Sequence, residues 1–202
     1  MIIDALCFAL SGYFMKESDE YIDERNNPQY AVITGILCVI FTLWVSLNNG
    51  DAACIFISIL LGTGLAFKVD SINHILSAIL FIVILLLLGA PHFSWICLIL
   101  CTIAAYIDEK GNDLSDEKEE KGGYLTLIDN LFKYRYLMKI TVLTLSLLTV
   151  LKILIPGTFL DGFLFFEPVT IVYFYLFDLC YEFHEELTDG FNNIFQSLLR
   201  RF

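Results

Sequence analysis

The sequence predicts an all-α protein that crosses a membrane about seven times. Of its 202 residues, 57% are hydrophobic and only 17% are charged, and the mean hydropathy is +0.72. A soluble domain typically carries about 25% charged residues and could not cover this much apolar surface. The apolar residues also fall into runs separated by short polar segments, a pattern typical of a polytopic helical bundle.

Seven apolar runs are candidate membrane spans. They are residues 2–15, 31–47, 52–67, 72–90, 93–107, 137–155 and 159–180. The first run carries Asp4 and lacks the basic start of a signal peptide, so we interpret it as the first span. Several runs are shorter than the roughly 20 residues that cross a bilayer untilted, so we expect polar helix extensions at their ends. Segments 125–136 and 191–202 have apolar residues at helical spacing and are predicted to lie on the membrane surface.

Lysine and arginine indicate the orientation. Eleven of the twelve fall on the side that holds residues 16–30, Lys68, residues 110–139 and the C-terminus, and only Lys152 falls opposite. The positive-inside rule makes that side cytoplasmic and places the N-terminus outside. Nineteen of the 23 acidic residues lie on the cytoplasmic side too, which the rule does not explain.

Charge and cysteine usage exclude other classes of function. The formal net charge of -11 argues against nucleic acid as a partner, since phosphate backbones require basic surface. The six cysteines lie mostly inside apolar runs with no C-x-x-C pair. We interpret them as small buried hydrophobic side chains, and they identify no redox compartment.

The chain is also predicted to contain a repeat. Residues 1–70 read as an apolar run, an acidic segment, two spans and an acidic end, and residues 93–182 read the same way. Span 72–90 links the two copies, which gives a parallel three-plus-one-plus-three arrangement in a single transmembrane domain, 1–182. Residues 191–202 then form an amphipathic tail. Membrane proteins often place binding sites between such repeats.

Two acidic stretches on the cytoplasmic side are the candidate site. The stronger one reads N-D-x-x-D-x-x-x-E at Asn112, Asp113, Asp116 and Glu120. Oxygen ligands at helical spacing are suited to a hard divalent cation and, through it, a diphosphate. The other stretch, 17–24, follows the first run. A solvated face beside the membrane would explain the same charges, so both interpretations stay open.

These residues resemble two motifs of the UbiA-type intramembrane prenyltransferases. The first motif is matched at Asp19, Asp23, Asn26, Pro28 and Gly35, and the second at Asp113, Asp116, Glu120, Gly123, Thr126 and Leu127. Between them, Lys68, Asn73, His74, Gly89 and Ala90 are similar to the family's linking segment. The resemblance covers roughly residues 8–180. The chain departs from the family at Met15 and Lys16, which replace the leading Asn-Asp, and at Asn27 and Tyr30, which replace arginines. It also has seven predicted spans where the family usually has nine.

The resemblance implies a helical bundle that transfers a prenyl group from a prenyl diphosphate to an aromatic or phosphorylated-alcohol acceptor. Asp19, Asp23, Asp113 and Asp116 would then be catalytic. One Mg²⁺ would be held by Asn112, Asp113, Asp116 and Glu120, and a second by Asp19 and Asp23. Lys68, Asn26 and Lys16 would contact the diphosphate, although a lysine at the position of Lys68 is more often an interfacial anchor.

Two alternative functions remain open at the sequence level. The chain could be a family relative that no longer catalyses and instead binds a polyprenyl lipid or scaffolds membrane partners, alone or as a homo- or hetero-oligomer. It could also bind or transport cations, although the spans offer few polar residues beyond Ser, Thr and Gly. Convergence of the two acidic stretches on one cavity would favour the prenyltransferase. The carboxylates of Asp178 and Glu182, one helical turn apart, could form a third pair at that cavity.

Overall fold

The computed structural model describes residues 1–190, and every regular element within them is helical. The predicted amphipathic tail, 191–202, lies outside the described residues. The elements in chain order are α1 Ile2–Asp23, α2 Pro28–Asn48, α3 Gly50–Leu65, α4 Ile72–Leu88, α5 Trp95–Glu120, α6 Leu127–Lys133, α7 Tyr136–Leu154, a short 3₁₀ helix Phe159–Gly162, and α8 Thr170–Glu182. The all-α fold class is therefore confirmed.

Within residues 1–190, two helices are long and apolar enough to cross a membrane by length and composition, namely α2 and α7. α3 and α4 are apolar but shorter. Residues such as Trp44 on α2, Leu86 on α4 and Leu147 on α7 stand exposed on the outside of the bundle. Exposed apolar side chains on helices of this composition fit association with a membrane.

Six helices pack in a closed ring, with neighbours in the order α1, α2, α3, α5, α7, α8 and back to α1. α4 packs extensively against α2, and α6 packs against α5 and α7. Small residues allow the closest approaches, as is typical of helices packed in membranes. A Cβ added at Gly12 on α1 would lie 2.0 Å from the carbonyl oxygen of Phe177 on α8, and one at Gly62 would meet Ala105 on α5 at 2.5 Å.

The expected polar extensions are present. α1 continues through its acidic segment to Asp23, and α5 runs without a break through the acidic stretch to Glu120. A capping residue shortens the connection between α2 and α3. Asn49 accepts hydrogen bonds from the backbone N–H groups of Asp51 and Ala52 at the start of α3, so α2 and α3 are joined with almost no loop.

The predicted last span, 159–180, is wrong in its first half. Residues 159–162 form one 3₁₀ turn, and α8 begins only at Thr170. Pro168 precedes the helix and disfavours helical geometry in the residue before it. Asp51 fixes the new start, because its carboxylate accepts hydrogen bonds from Glu167 N at 2.6 Å and from the Thr170 hydroxyl at 2.7 Å. The predicted surface helix 125–136 is also shorter, since α6 spans only Leu127–Lys133.

Candidate functional site

A cavity of about 830 Å³ lies among the helices of the ring and α4, and residues from both acidic stretches line it. Its charged residues gather where α1, α3 and α8 end and where α4 and α7 begin, and we call this side the polar end. Eight carboxylates line it, against four lysines and arginines: Asp19, Asp23, Asp70, Asp108, Glu109, Asp116, Asp178 and Glu182, and Lys16, Lys68, Lys133 and Arg135. Deeper in the ring the lining is mostly apolar. The cavity is therefore suited to a ligand with a polar head and an apolar tail.

Asp19 and Asp23 lie one turn apart near the end of α1 and both line the cavity. Asp19 is already engaged by protein groups. One of its carboxylate oxygens lies 2.8 Å from Nε2 of His74, and the other accepts a hydrogen bond from the Tyr181 hydroxyl at 3.1 Å. Next to Asp19, the Asn73 side chain donates to Ser18 Oγ at 2.8 Å. The polar start of α4 is thus fastened to the end of α1.

The residues of the second acidic stretch are divided between the cavity-facing side of α5 and the rest of its surface. Asn112 and Asp116, four residues apart, line the cavity, whereas Asp113 and Glu120 are not among its lining residues. Asn112 uses its Nδ2 to donate to the Lys133 carbonyl at 3.4 Å, which leaves its amide oxygen as a potential ligand. Asp113 forms ion pairs with Lys68 and with Lys110, the latter at 3.9 Å. Glu120 is exposed to solvent.

The three residues expected to contact the diphosphate are not equivalent. Lys16 lies in the cavity wall, 4.0 Å from Glu20 and 5.8 Å from the centre of the Tyr181 ring. Lys68 also lines the cavity but is paired with Asp113. Asn26 is exposed, does not line the cavity and has a left-handed backbone with φ of 46°. Its position before Pro28 indicates a role in the α1–α2 turn.

Arg135 is a cavity residue that no motif indicated. It stands directly before α7 with φ of 49°, donates to Glu109 at 3.0 Å, and lies 5.7 Å from the Tyr181 ring centre. Burial opposes its charge, but Tyr181 and Glu109 outweigh burial and raise the pKa of Arg135 above its ordinary value. The left-handed backbone, uncommon for a residue with a Cβ, aims a permanent cation at the polar end. Only the arginine itself was visible in the sequence, not this conformation.

A second ionic group, also missed, lies between α1 and the residues after α8. His184 is 1% exposed, and its two ring nitrogens contact Glu17 and Glu20, the latter at 3.1 Å. Arg25 pairs with the same two glutamates at 3.1 and 3.2 Å. Local sequence spacing does not reveal this contact, because Glu20 and His184 are separated by 164 positions in the chain. Glu17 and Glu20 are therefore structural in this arrangement.

Asp178 and Glu182 do reach the cavity, as the third carboxylate pair of the sequence analysis would require. They flank Lys139, whose ammonium lies 2.9 Å from Asp178 and 3.9 Å from Glu182. That ammonium also donates to the Tyr134 carbonyl at 2.8 Å. Since Lys139 is only 4% exposed, the pair neutralises a buried cation and holds α7 against α8.

The side-chain oxygens that line the cavity are of the type that Mg²⁺ prefers as ligands. Asp23, Asp116 and the Asn112 amide are oxygen ligands, and Mg²⁺ is usually held by one or two carboxylates together with substrate phosphates. Within residues 1–190, no three His, Cys, Asp or Glu side chains are grouped closely enough to hold a metal ion by themselves.

Comparisons with protein-family models, with curated proteins and with solved structures find no match for this chain.

Proposed function

We propose that this protein is a multi-pass membrane prenyltransferase with the three-plus-one-plus-three arrangement. Its cavity would open toward the cytoplasm and take a prenyl diphosphate as donor substrate. The observation that carries the proposal is the convergence of two sequence-distant acidic stretches on one cavity, through Asp19 and Asp23 from α1 and Asn112 and Asp116 from α5. The cavity combines this charged end with an apolar interior, which matches an amphipathic donor.

Each part of the cavity has a defined task in this proposal. Asp23, Asp116 and Asn112 would hold Mg²⁺ jointly with the diphosphate, and Lys16 and Arg135 would add charge-assisted hydrogen bonds to its oxygens. Mg²⁺, when bound, would neutralise charge on the departing diphosphate. The apolar walls exclude water from the allylic carbon, so the cation formed there reaches the acceptor before it is hydrolysed. The acceptor would be an aromatic ring or a phosphorylated alcohol.

A second candidate function is binding of a prenyl diphosphate without turnover. It is favoured by the ion pairs and hydrogen bonds that already engage two of the four expected catalytic carboxylates. Asp113 is paired with Lys68 and Lys110, and Asp19 is held by His74 and Tyr181. Lys16 also stands where the related motif has a carboxylate. A site with fewer available ligands would still bind a diphosphate while stabilising the departing charge less.

One experiment separates the two. The purified chain in detergent or nanodiscs is given a radiolabelled prenyl diphosphate with aromatic or phosphorylated-alcohol acceptors, with and without Mg²⁺. A prenyltransferase gives labelled lipid product that requires Mg²⁺ and is lost in Asp116→Asn. Glu186→Gln, which changes an exposed carboxylate outside the cavity, is the matched control. Saturable binding without product supports the second candidate, and the absence of binding rejects both.

A further inference from the structure

The apolar interior of the cavity ends on phenylalanine side chains. On three lining helices, the lining residue farthest from the polar end is a phenylalanine: Phe56 on α3, Phe81 on α4 and Phe174 on α8. These side chains are 3%, 5% and 4% exposed, so they are packed rather than mobile on a surface. Three separate helices thus close the cavity at a similar depth with the same bulky residue.

Further aromatic contacts at this floor of the cavity pack Phe56 and Phe174 into the core. Phe177, one turn nearer the polar end, stacks on Phe174 with ring centres 6.1 Å apart and meets Phe56 edge-on at 5.5 Å. Behind the floor, Phe8 packs on Phe56 at 5.3 Å. On α4, Leu85 is buried one turn beyond Phe81. A ligand tail that reached the floor would have to displace packed core side chains in order to go farther.

The size of the cavity sets a limit on the tail. At roughly 30 Å³ for each water-sized group, 830 Å³ holds about 28 non-hydrogen atoms. A diphosphate uses about nine of them, so about 19 carbon atoms remain, or just under four isoprene units at this packing. The depth of the cavity is consistent with a short tail. Phe81 lies seven residues beyond His74 on α4, which is about 10 Å at 1.5 Å per residue. A tail of three or four units would have to fold back to fill the space.

We propose that Phe56, Phe81 and Phe174 form a floor that limits the substrate tail to about four isoprene units. This inference rests on the proposed function and adds the length class of the prenyl diphosphate that the site accepts. The three residues determine specificity and take no part in the chemistry. They act by volume, since a longer tail meets closely packed aromatic rings instead of open space.

The test is a competition experiment with the full chain in nanodiscs and Mg²⁺. A fluorescent diphosphate with three isoprene units is displaced by unlabelled diphosphates of three units or of about nine units. Wild type is expected to bind the long tail at least tenfold more weakly. Phe81→Leu and Phe174→Ala enlarge the cavity at its floor. Each should reduce the difference in affinity between the short and the long diphosphate at least threefold. Leu147→Ala, on an exposed position of α7 outside the cavity, should leave it unchanged.

A variant that fills the cavity covers the case in which the enlarged variants fail to fold. Val39 lines the apolar interior on α2, and Val39→Phe should weaken the three-unit ligand at least fivefold while sparing a two-unit ligand. Equal affinity of wild type for short and long tails would overturn the floor while leaving the proposed function intact. The floor is also refuted, with the proposed function intact, if every variant keeps the wild-type preference for tail length. If no prenyl diphosphate of any length binds, the proposed function itself fails.

Discussion

Asp108 provides the sharpest test of how the polar end is assembled. It lies just past the fifth predicted span, is 1% exposed, and accepts hydrogen bonds from Leu137 N at 3.1 Å and Met138 N at 2.6 Å. These N–H groups belong to the first turn of α7, where Arg135 provides no side-chain cap. Asp108 on α5 therefore caps a helix from a distance and fixes where α7 begins. Arg135, directly before that turn, depends on the same contact for its place in the cavity.

The size of the pH effect on stability follows from the raised pKa of Asp108. Burial raises the pKa of Asp108 from 3.8 to about 6, against the two backbone hydrogen bonds and nearby Arg135, which lower it. Because the folded-state pKa is raised, the stabilising contribution is complete below about pH 4 and is lost as pH rises through about 6. At about 1.4 kcal/mol per pKa unit, the loss between pH 4 and pH 7.5 is at most about 3 kcal/mol. For a chain of this length that corresponds to a fall in Tm of about 6–12 °C.

The assay is thermal unfolding in detergent across pH 4–7.5. Asp108→Asn, which cannot ionise, should flatten the part of the pH profile that comes from this residue. Asp108→Ala should cost about 2–4 kcal/mol at pH 4, because it leaves two N–H groups at a helix start without an acceptor, and the cost should shrink as the pH rises and wild type loses its own contribution. Glu186→Gln serves as the control for loss of an exposed carboxylate. An identical pH slope in wild type and Asp108→Asn would refute the reasoning.

Three further outcomes are expected. Gly12→Ala should destabilise the fold by about 2 kcal/mol or more, because the new methyl group overlaps the α8 backbone. Gly64→Ala, with no atom within 4 Å of its new Cβ, should be neutral or slightly stabilising. Thermal unfolding of both variants measures the difference, and equal effects would contradict the close packing of α1 against α8. His184→Ala should cost about 3–5 kcal/mol, since it removes a partner of two buried glutamates, and an unchanged Tm would show that the cluster is not structural. Asp116→Asn should lower Mg²⁺-dependent binding of a three-unit prenyl diphosphate at least tenfold without changing Tm, as measured by fluorescence competition.

Helix content could be predicted from the sequence because it depends on local patterns. Apolar runs and the acidic extensions of α1 and α5 are visible in any window of some fifteen residues. The start of α8 could not be predicted, because the run from Phe159 onward is apolar throughout. Its helical part is decided by Pro168 and by Asp51, a partner more than a hundred residues away. Hydropathy alone does not register such a tertiary hydrogen bond.

The candidate site was predictable in position but not in detail. Sequence spacing located Asp19 and Asp116 at matching helix ends, and both line the cavity. Spacing could not reveal that Asp113 points to Lys68 and Lys110, or that Arg135 has a left-handed backbone. A helix places residues three and four apart on one face only approximately, so a four-residue motif distributes its side chains between the cavity and its rim.

The contacts of Asp19 connect fold and function most closely. His74 and Tyr181 bring α4 and α8 to the end of α1 through the two oxygens of one carboxylate. A cation that coordinated Asp19 would compete with these two hydrogen bonds, which attach two cavity walls to α1. Binding at Asp19 therefore carries a cost that binding at Asp116, which is exposed, does not. Under the proposed function, we therefore expect Asp116 and Asn112 to hold Mg²⁺ together with the diphosphate, with Asp19 contributing less to that site.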